Sequence, residues 1–256
     1  MSQTHIETYA KFKIHPGKLE EFKTRLAALA PRVRENEPNT LRYDYFLNEE
    51  KCEAVAMDYY GDSHAMFAHQ QNAGPFHRAL LECSDMSVEF LGIPTDDAVD
   101  AVKKFGPQFF VFDKGLDDVP GALRFTREPG TPSTEHIEIY TRFHIHDGKL
   151  EEFKKGADEI LATVKEKDTG TLRYDWFYDD SKNICIAMDT YKDADGMFNH
   201  MQNCHAPHSK LLELSTMTTE FLGELPAAAK EAVTKYSPYI LPFHAGLKSY
   251  SAGGMT

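Results

Sequence analysis

The chain has no apolar segment that approaches the roughly 18 residues of a membrane span. Its first residues, MSQTHIETYAKFKIHPGK, contain no apolar stretch of the kind found in a signal peptide. Basic residues are scarce as well, since 28 lysines and arginines stand against 40 aspartates and glutamates, for a formal net charge of −12 over 256 residues. Phosphate backbones and anionic lipids repel such a chain, so we expect neither nucleic acid nor a membrane as a partner. A cytoplasmic location is predicted.

What the sequence does contain is an internal repeat. The segment HIETYAKFKIHPGKLEEFK, which starts at His5, returns as HIEIYTRFHIHDGKLEEFK at His136. The segment TLRYDYF at Thr40 returns in the same way as TLRYDWF at Thr171. These and later pairs share one offset of about 131 residues without a gap, which indicates two copies of one domain.

The repeat also sets the expected domain boundaries. The segment DDVPGALRFTREPGTPST between the copies is rich in Pro, Gly and Thr, which is the composition of a linker. We predict a first domain over residues 1–116, a linker over residues 117–134 and a second domain over residues 135–256. Each domain has an ordinary small size.

The two copies act as a filter on the cysteines. The chain has only four, and none of them stands at the same position in both copies. A disulfide framework or a thiolate metal site older than the duplication is therefore not expected. We interpret all four as small buried hydrophobic side chains. They are Cys52, Cys83, Cys185 and Cys204.

Each copy has the hydrophobic pattern of a β-α-β-β-α-β domain. In the first copy, residues 5–14 alternate like a half-buried strand, and a helical pattern follows that ends before Pro38. Pro31 interrupts this helix, whereas the second copy has Ala162. The remaining predicted elements are strands over 40–47, 53–60 and 86–92, and a helix over 62–84 with a break near Gly74 and Pro75. This order is that of a ferredoxin-like domain, which lays its helices on one face of an antiparallel sheet.

Alternation along the strands also assigns side chains to the face that the helices leave bare. That face is too apolar for a free surface, so we expect the matching faces of the two copies to pack together. The predicted fold class is α+β, with two tandem ferredoxin-like domains packing sheet to sheet as an intramolecular pseudo-dimeric α/β barrel. A further homodimer is left open. The residues assigned to the bare face are Arg42, Asp44, Phe46, Ala54, Ala56, Asp58, Tyr60 and Glu89.

Two buried ion pairs are expected on this face. Arg42 and Asp58 would lie on neighbouring strands in the first copy, and Arg173 and Asp189 would do so in the second. Buried charges need partners, so these residues are interpreted first as structural pairs.

The motifs of each copy, taken in order, resemble the antibiotic-biosynthesis-monooxygenase (ABM) domain. They are PGKLEEF at a helix start, TLRYDYF on a strand, a strand ending in Asp-Tyr-Tyr, and a helix that carries His69 and then Pro-Phe-His. The likeness covers residues 5–92 and 136–223. It implies the dimeric α/β-barrel superfamily, whose members include cofactor-independent oxygenases, haem-degrading enzymes, isomerases, decarboxylases and cyclases.

The second helical region carries polar residues that both copies share, in MFAHQQNAGPFHRALLE and MFNHMQNCHAPHSKLLE. Two imidazoles and an amide can hold a phenolate, take a proton from it and donate to a peroxide oxygen. A structural role, as helix caps or buried hydrogen-bonded side chains, is the alternative that the sequence leaves open. The predicted catalytic residues are His69, His77, His200 and His208. The predicted substrate-binding residues are Asn72, Asn203, Tyr60, Tyr191, Arg42 and Arg173.

The resemblance implies a cofactor-independent monooxygenase acting on a small aromatic, phenolic or quinol-type substrate. We expect no cofactor, and no metal, because the histidine spacing matches no standard zinc pattern. Haem degradation is disfavoured, since the first strands offer His5 and His136 instead of asparagine, and the single tryptophan, Trp176, aligns with Tyr45. The alternatives are an isomerase, lyase or cyclase on the same scaffold, or a non-catalytic protein that binds a small ligand such as haem.

The two copies also differ from each other in the predicted site region. Tyr59 of the first copy corresponds to Thr190, and the residues before His77 and His208 are not the same. One pocket could therefore be active and the other degenerate.

Overall fold

A computed structural model of the chain describes residues 5–121, 136–235 and 237–247. Residues 122–134 of the predicted linker, and the end of the second domain from residue 248, lie outside the described residues. The described residues form two compact units. The first contains residues 5–109 and 241–247, and the second contains residues 110–121, 136–235 and 237–240.

The first copy folds in the predicted order of elements. They are β1 (Ile6–Ile14), α1 (Leu19–Ala27), α2 (Leu29–Asn36), β2 (Thr40–Asn48), β3 (Glu53–Tyr60), α3 (Ser63–Leu81), β4 (Ser84–Leu91), α4 (Asp96–Val102), a 3₁₀ turn (Lys103–Phe105) and β5 (Gln108–Lys114). The first helical region is split into α1 and α2, as Pro31 predicts. Proline has no N–H to donate to the carbonyl four residues earlier, which belongs to Ala27, the last residue of α1.

The second copy repeats this order. Its elements are β6 (Ile137–Ile145), α5 (Leu150–Lys167), β7 (Thr171–Asp179), a 3₁₀ turn (Asp180–Lys182), β8 (Ile184–Tyr191), α6 (Ala194–Leu214), β9 (Ser215–Leu222), α7 (Ala227–Thr234), β10 (Tyr239–Leu241) and β11 (Phe243–Gly246). With Ala162 in place of proline, α5 runs unbroken. None of the described helices is long and apolar enough to cross a bilayer.

Both units confirm the α+β class and the ferredoxin-like strand order. In the first unit the sheet runs β4-β1-β3-β2, and in the second it runs β9-β6-β8-β7, with antiparallel neighbours. In the first unit, side chains from α1 and α2 join those of β1 and β2 in one core, as Phe12, Phe22 and Tyr45 illustrate. One face of each sheet is therefore covered by the unit's own helices.

A tail strand extends each sheet beyond its predicted edge. In the first unit β11 pairs with β2, opposing Phe243 to Phe46, and in the second unit β5 pairs with β7, opposing Phe112 to Phe177. The ring centroids of these two pairs lie 5.9 and 5.5 Å apart. The strand after each short helix thus covers an edge whose backbone groups would otherwise be unpaired.

The predicted break in the second helical region is wrong. Helix α3 continues through Gly74 and Pro75, and α6 continues through Pro207. Each proline removes one backbone hydrogen bond from its helix without ending it. His69 and His77 therefore lie on one continuous helix.

The predicted face of β3 is also wrong, because the hairpin closes with Asn48 opposite Glu53, and only the Thr40 end departs from that register at a β-bulge. Thr40 pairs with Tyr60, but the register then shifts by one residue, so Arg42 opposes Tyr59 and Tyr43 opposes Asp58. A shift of one residue exchanges the two faces of a strand. The side chains of β3 that therefore face the helices are Ala54, Ala56, Asp58 and Tyr60.

The expected ion pairs change with the face. Arg42 donates to Asp44 at 2.9 Å on its own strand instead of pairing with Asp58. The second copy has the same shift, and its Arg173 donates to Asp175 at 2.7 Å. Each arginine is paired with the second residue along its own strand, on the face turned away from the helices.

Candidate functional site

A small cavity lies between the sheet and α3 in the first unit. Its volume is about 60 Å³, room for roughly four water molecules, so it suits a small ligand. Apolar and aromatic side chains make up much of its lining, and pockets of this kind bind ligands through a few convergent polar groups. The polar lining residues are Thr8, Tyr45, Asp58, Tyr60, His69, Gln70 and His77.

His69 is held by a carboxylate that comes from the end of the first helical region. Its Nδ1 lies 2.7 Å from Oε2 of Glu37, and both side chains are 2% exposed. The amide of Asn72 donates to the other carboxylate oxygen at 2.6 Å, and the hydroxyl of Thr40 donates to Oε2 at 2.7 Å. Burial alone would raise the pKa of Glu37, but these hydrogen bonds outweigh it, and the pKa lies below its usual value.

This arrangement fixes which nitrogen of His69 is available to a ligand. Because Glu37 is a carboxylate and can only accept, Nδ1 of His69 carries the proton that it donates. The other nitrogen, Nε2, is buried and has no hydrogen-bond partner in the described part of the chain. His69 thus directs toward the cavity that it lines a nitrogen that no described residue engages.

His77 lies two turns further along α3 and lines the same cavity. The two imidazole rings are 5.1 Å apart, and Nε2 of His77 lies 3.3 Å from the hydroxyl of Tyr43. Burial lowers the pKa of His77 to about 3, with the neighbouring His69 adding to the effect. His77 is therefore neutral at physiological pH and can exchange a hydrogen bond without carrying charge.

Asp58 enters the same cavity from β3. Its Oδ2 accepts hydrogen bonds from the hydroxyls of Thr8 at 2.8 Å and Tyr60 at 3.1 Å. Its Oδ1 is buried without a hydrogen-bond partner among the residues described. Burial raises the pKa of Asp58, and His69 and the two hydroxyls partly oppose the rise.

The second unit keeps the histidine network. His200 Nδ1 lies 2.8 Å from Oδ2 of Asp168, and the amide of Asn203 donates to the other carboxylate oxygen at 2.8 Å. Here Nε2 of His200 lies 3.3 Å from Nε2 of His208 and is therefore already engaged. Burial lowers the pKa of His208 to about 4, as it does for His77.

The second unit differs in the residues that correspond to the cavity lining. Tyr45 is replaced by Trp176, which is fully buried and stacks on Phe143 with ring centroids 5.8 Å apart. Thr8 is replaced by Ile139 and Gln70 by Met201. These replacements make the equivalent region bulkier and less polar, although the histidines are retained.

One group of side chains in the second unit has the chemistry of a metal site. A ligand atom from each of Asp168, His200 and Cys204 lies within 4.8 Å of the others. Burial raises the pKa of Cys204 to about 12, so the thiol is neutral unless a metal ion displaces its proton. The first unit has Ala73 at the cysteine position, so this group belongs to one copy only.

The structure brings some predicted site residues together and leaves others apart. His69, His77 and Tyr60 line the first-unit cavity, and the rings of Tyr60 and His69 are 5.3 Å apart, as those of Tyr191 and His200 are at 5.1 Å. Asn72 and Asn203 hold carboxylates instead of lining the cavity. Arg42 and Arg173 lie on the opposite sheet face, away from the histidines.

Sequence reasoning missed the two carboxylates that hold the histidines. Glu37 and Asp168 occupy equivalent positions, three residues before the threonine that opens the TLRYD motif. An acidic residue at the same place in both copies was a usable signal. It was overlooked because the position follows a helix and has no hydrophobic pattern of its own.

Within the first copy, residues 6–79 match the family model described as Antibiotic biosynthesis monooxygenase. Among solved structures, the chain is similar to a candidate monooxygenase from Fusobacterium nucleatum, with a TM-score of 0.57 and 14% identity over 86% of this chain and 91% of that one. It is also similar to one from Lactobacillus acidophilus, with a TM-score of 0.53 and 10% identity over 84% and 91%. At such identities the likeness shows the fold. No curated protein matches the sequence.

Proposed function

We propose that the first-unit cavity is the site of a cofactor-independent monooxygenation of a small phenolic or quinol-type substrate. The observation that carries the proposal is the Nε2 of His69, which is buried and has no partner among the described residues while Nδ1 lies against Glu37. A general base positioned within hydrogen-bond reach of a substrate hydroxyl can take its proton in the transition state. The ABM domain over residues 6–79 and the similarity to candidate monooxygenases support this class of reaction.

The substrate itself supplies the electrons in this scheme. Nε2 of His69 takes the proton of a ring hydroxyl, and the resulting anion passes one electron to O₂. The substrate radical and superoxide then combine to form a carbon–oxygen bond, and the imidazolium of His69 returns its proton to the peroxide. Loss of the ring C–H proton and departure of water leave a ring carbonyl. For hydroquinone, one molecule and one O₂ give one hydroxy-1,4-benzoquinone and one water.

Hydrogen bonds in the cavity would assist the second half of this reaction. His77 is neutral and 5.1 Å from His69, ring to ring, so it can hydrogen-bond the developing peroxide without adding charge. Its contact with the Tyr43 hydroxyl orients the ring. The second unit, whose His200 is engaged by His208, is proposed to contribute little to turnover.

The first test is oxygen uptake with a panel of phenols and hydroquinones. We expect His69→Ala to lower the rate by roughly a hundredfold or more, because a positioned general base contributes at least that much. The equivalent His200→Ala should change the rate far less. Catalase added after the reaction should release no oxygen, because monooxygenation produces water. A simple two-electron oxidation would instead produce hydrogen peroxide, from which catalase releases oxygen.

The outcomes separate the alternatives. Absence of uptake across the panel would contradict the oxygenase. Product formed equally well without oxygen would instead support an isomerase, lyase or cyclase at the same site. Equal losses in His69→Ala and His200→Ala would show that both units turn over.

A further inference from the structure

Asp58 is a polar residue of the first-unit cavity, and the proposed proton abstraction by His69 does not use it. It is 7% exposed, and two hydroxyls hold its Oδ2. Its Oδ1 is buried and accepts no hydrogen bond from any residue in the described ranges. A buried carboxylate oxygen without a donor is costly to the folded protein, and its place in a cavity lining points to a donor that the ligand brings.

We propose that Asp58 is a second acid–base residue of this site, whose Oδ1 accepts the proton of a second ring hydroxyl while His69 Nε2 accepts that of the first. The choice of a hydroxylated ring as ligand rests on the proposed function. Two acceptors in one cavity, each without a partner among the described residues, match the two donors of a dihydroxybenzene, and phenol leaves one of them unsatisfied. Buried polar groups left unpaired are a strong source of discrimination between such ligands.

Thr8 is the positioning residue in this arrangement. It donates to Asp58 from β1, and this bond favours the ionised form that can accept a proton. In the second unit the equivalent residue is Ile139, and Oδ1 of Asp189 is buried without a partner within the described chain, as Oδ1 of Asp58 is. Burial there raises the pKa of Asp189 to about 7. The two carboxyls thus differ in their donors more than in their burial.

Other titratable groups face Asp58 from the elements packed around it. The tyrosines have pKa values raised by burial and stay neutral at physiological pH. His77 is neutral there as well, because burial lowers its pKa to about 3. A pH effect that belongs to Asp58 is therefore one that disappears when Asp58 is replaced. These groups are Tyr60 on β3, Tyr43 and Tyr45 on β2, His69 and His77 on α3, and Glu37 after α2.

The test is anaerobic calorimetry with phenol, catechol, resorcinol and hydroquinone as probes, so that binding is measured without turnover. The intact chain should bind at least one dihydroxybenzene about tenfold or more tightly than phenol, as expected for one added hydrogen bond to a charged group. Asp58→Ala should abolish this preference, so that the variant binds phenol and the dihydroxybenzenes with similar affinity. Asp189→Ala, the matched control, should keep the preference. Thermal unfolding confirms that each variant is folded.

Thr8 variants test the positioning role through pH. Thr8→Val removes a hydrogen bond that lowers the pKa of Asp58, so the preference should be lost at a higher pH than in the intact chain as the solution is acidified. Thr8→Ser should restore the original profile. Identical pH profiles in all three proteins would contradict the role of Thr8.

The results distinguish this inference from the proposed reaction. Equal affinities for phenol and all dihydroxybenzenes, or a preference that survives Asp58→Ala, would overturn the role of Asp58 even if oxygen is consumed. A preference that depends on Asp58 without oxygen uptake would support Asp58 and overturn the reaction. Failure of all four probes to bind would contradict both.

Discussion

The two units hold the same histidines in nearly the same way and surround them differently. The carboxylate–histidine distance is 2.7 Å in the first unit and 2.8 Å in the second, and an asparagine amide supports the carboxylate in both. The lining changes instead, with Trp176 in place of Tyr45 as one example. The histidine network therefore persists while the residues that correspond to the cavity lining change, which separates what the packing of α3 and α6 requires from what a ligand requires.

The same comparison identifies the buried polar atoms whose hydrogen-bond partners differ between the two copies. His69 Nε2 has no partner among the described residues, whereas His200 Nε2 contacts His208; the carboxylate oxygens Asp58 Oδ1 and Asp189 Oδ1 both lack a partner there. The second unit also lacks one of the two hydroxyls that hold Asp58 in the first, since Ile139 stands in place of Thr8. Unsatisfied groups destabilise a fold unless a ligand uses them, so a copy relieved of binding is free to fill or pair them.

The largest expected difference between the two units is in the free energy of unfolding, when the buried aspartate of each is replaced. Asp189 is 8% exposed, and burial raises its pKa from 3.8 to about 7. The contribution of Asp189 to the stability of the folded protein is therefore most favourable below pH 3.8 and is lost as the pH rises to 7. Asp189→Asn should therefore raise the free energy of unfolding at pH 8, by up to about 4 kcal/mol. The gain should be smaller at pH 5. Denaturant unfolding at both values measures it.

Asp58→Asn is the matched variant for this prediction. It should gain less at pH 8, because the amide loses the charge-assisted bonds from Thr8 and Tyr60. An equal gain in both variants would show that these hydroxyls do not distinguish the two carboxyls.

A second contrast concerns catalysis. Glu37→Gln should lower oxygen uptake by about tenfold or more, because an amide can donate to Nδ1 of His69 and stabilise the wrong tautomer. Asp168→Asn makes the same change in the second unit and should have little effect on rate. Steady-state rates of the two variants, measured beside their thermal stability, make the comparison. A similar loss in both would assign turnover to both units.

The smallest expected effect concerns a glycine that lies in or next to the tail strand of each unit. A Cβ added at Gly246 would lie 2.3 Å from an oxygen of Asp44 and 2.9 Å from the carbonyl oxygen of Tyr43, and one at Gly115 would lie 2.2 Å from Asp175. Gly246→Ala and Gly115→Ala should each destabilise the protein by about 1–2 kcal/mol through overpacking.

Gly74→Ala is the control, since a Cβ on this helical glycine meets nothing within 4 Å. It should be neutral or slightly stabilising. Denaturant midpoints for the three variants test the prediction. A loss of stability in only one of the two tail-strand variants would show that β5 and β11 do not contribute equally to the stability of their sheets.

Much of the fold could be predicted because it depends on local pattern. Alternation and three-to-four-residue periodicity located the strands and helices, and the repeat gave the order twice. The face of β3 could not be predicted, because the hairpin closes with Asn48 opposite Glu53, and the polarity pattern does not mark that register. The continuity of α3 through Pro75 was missed for a similar reason, since packing can retain a helix that local propensity would interrupt.

The candidate site likewise has features that the sequence predicts and features that depend on tertiary contacts. The sequence by itself determined that two copies exist, that each carries a pair of histidines on its second long helix, and that their cysteines are unrelated. Only the tertiary structure decided that Glu37 holds His69 and that Asp58 belongs with the histidines and not with Arg42. Periodicity along a chain is a property of neighbours in sequence, whereas these contacts depend on strand register and helix packing between segments far apart.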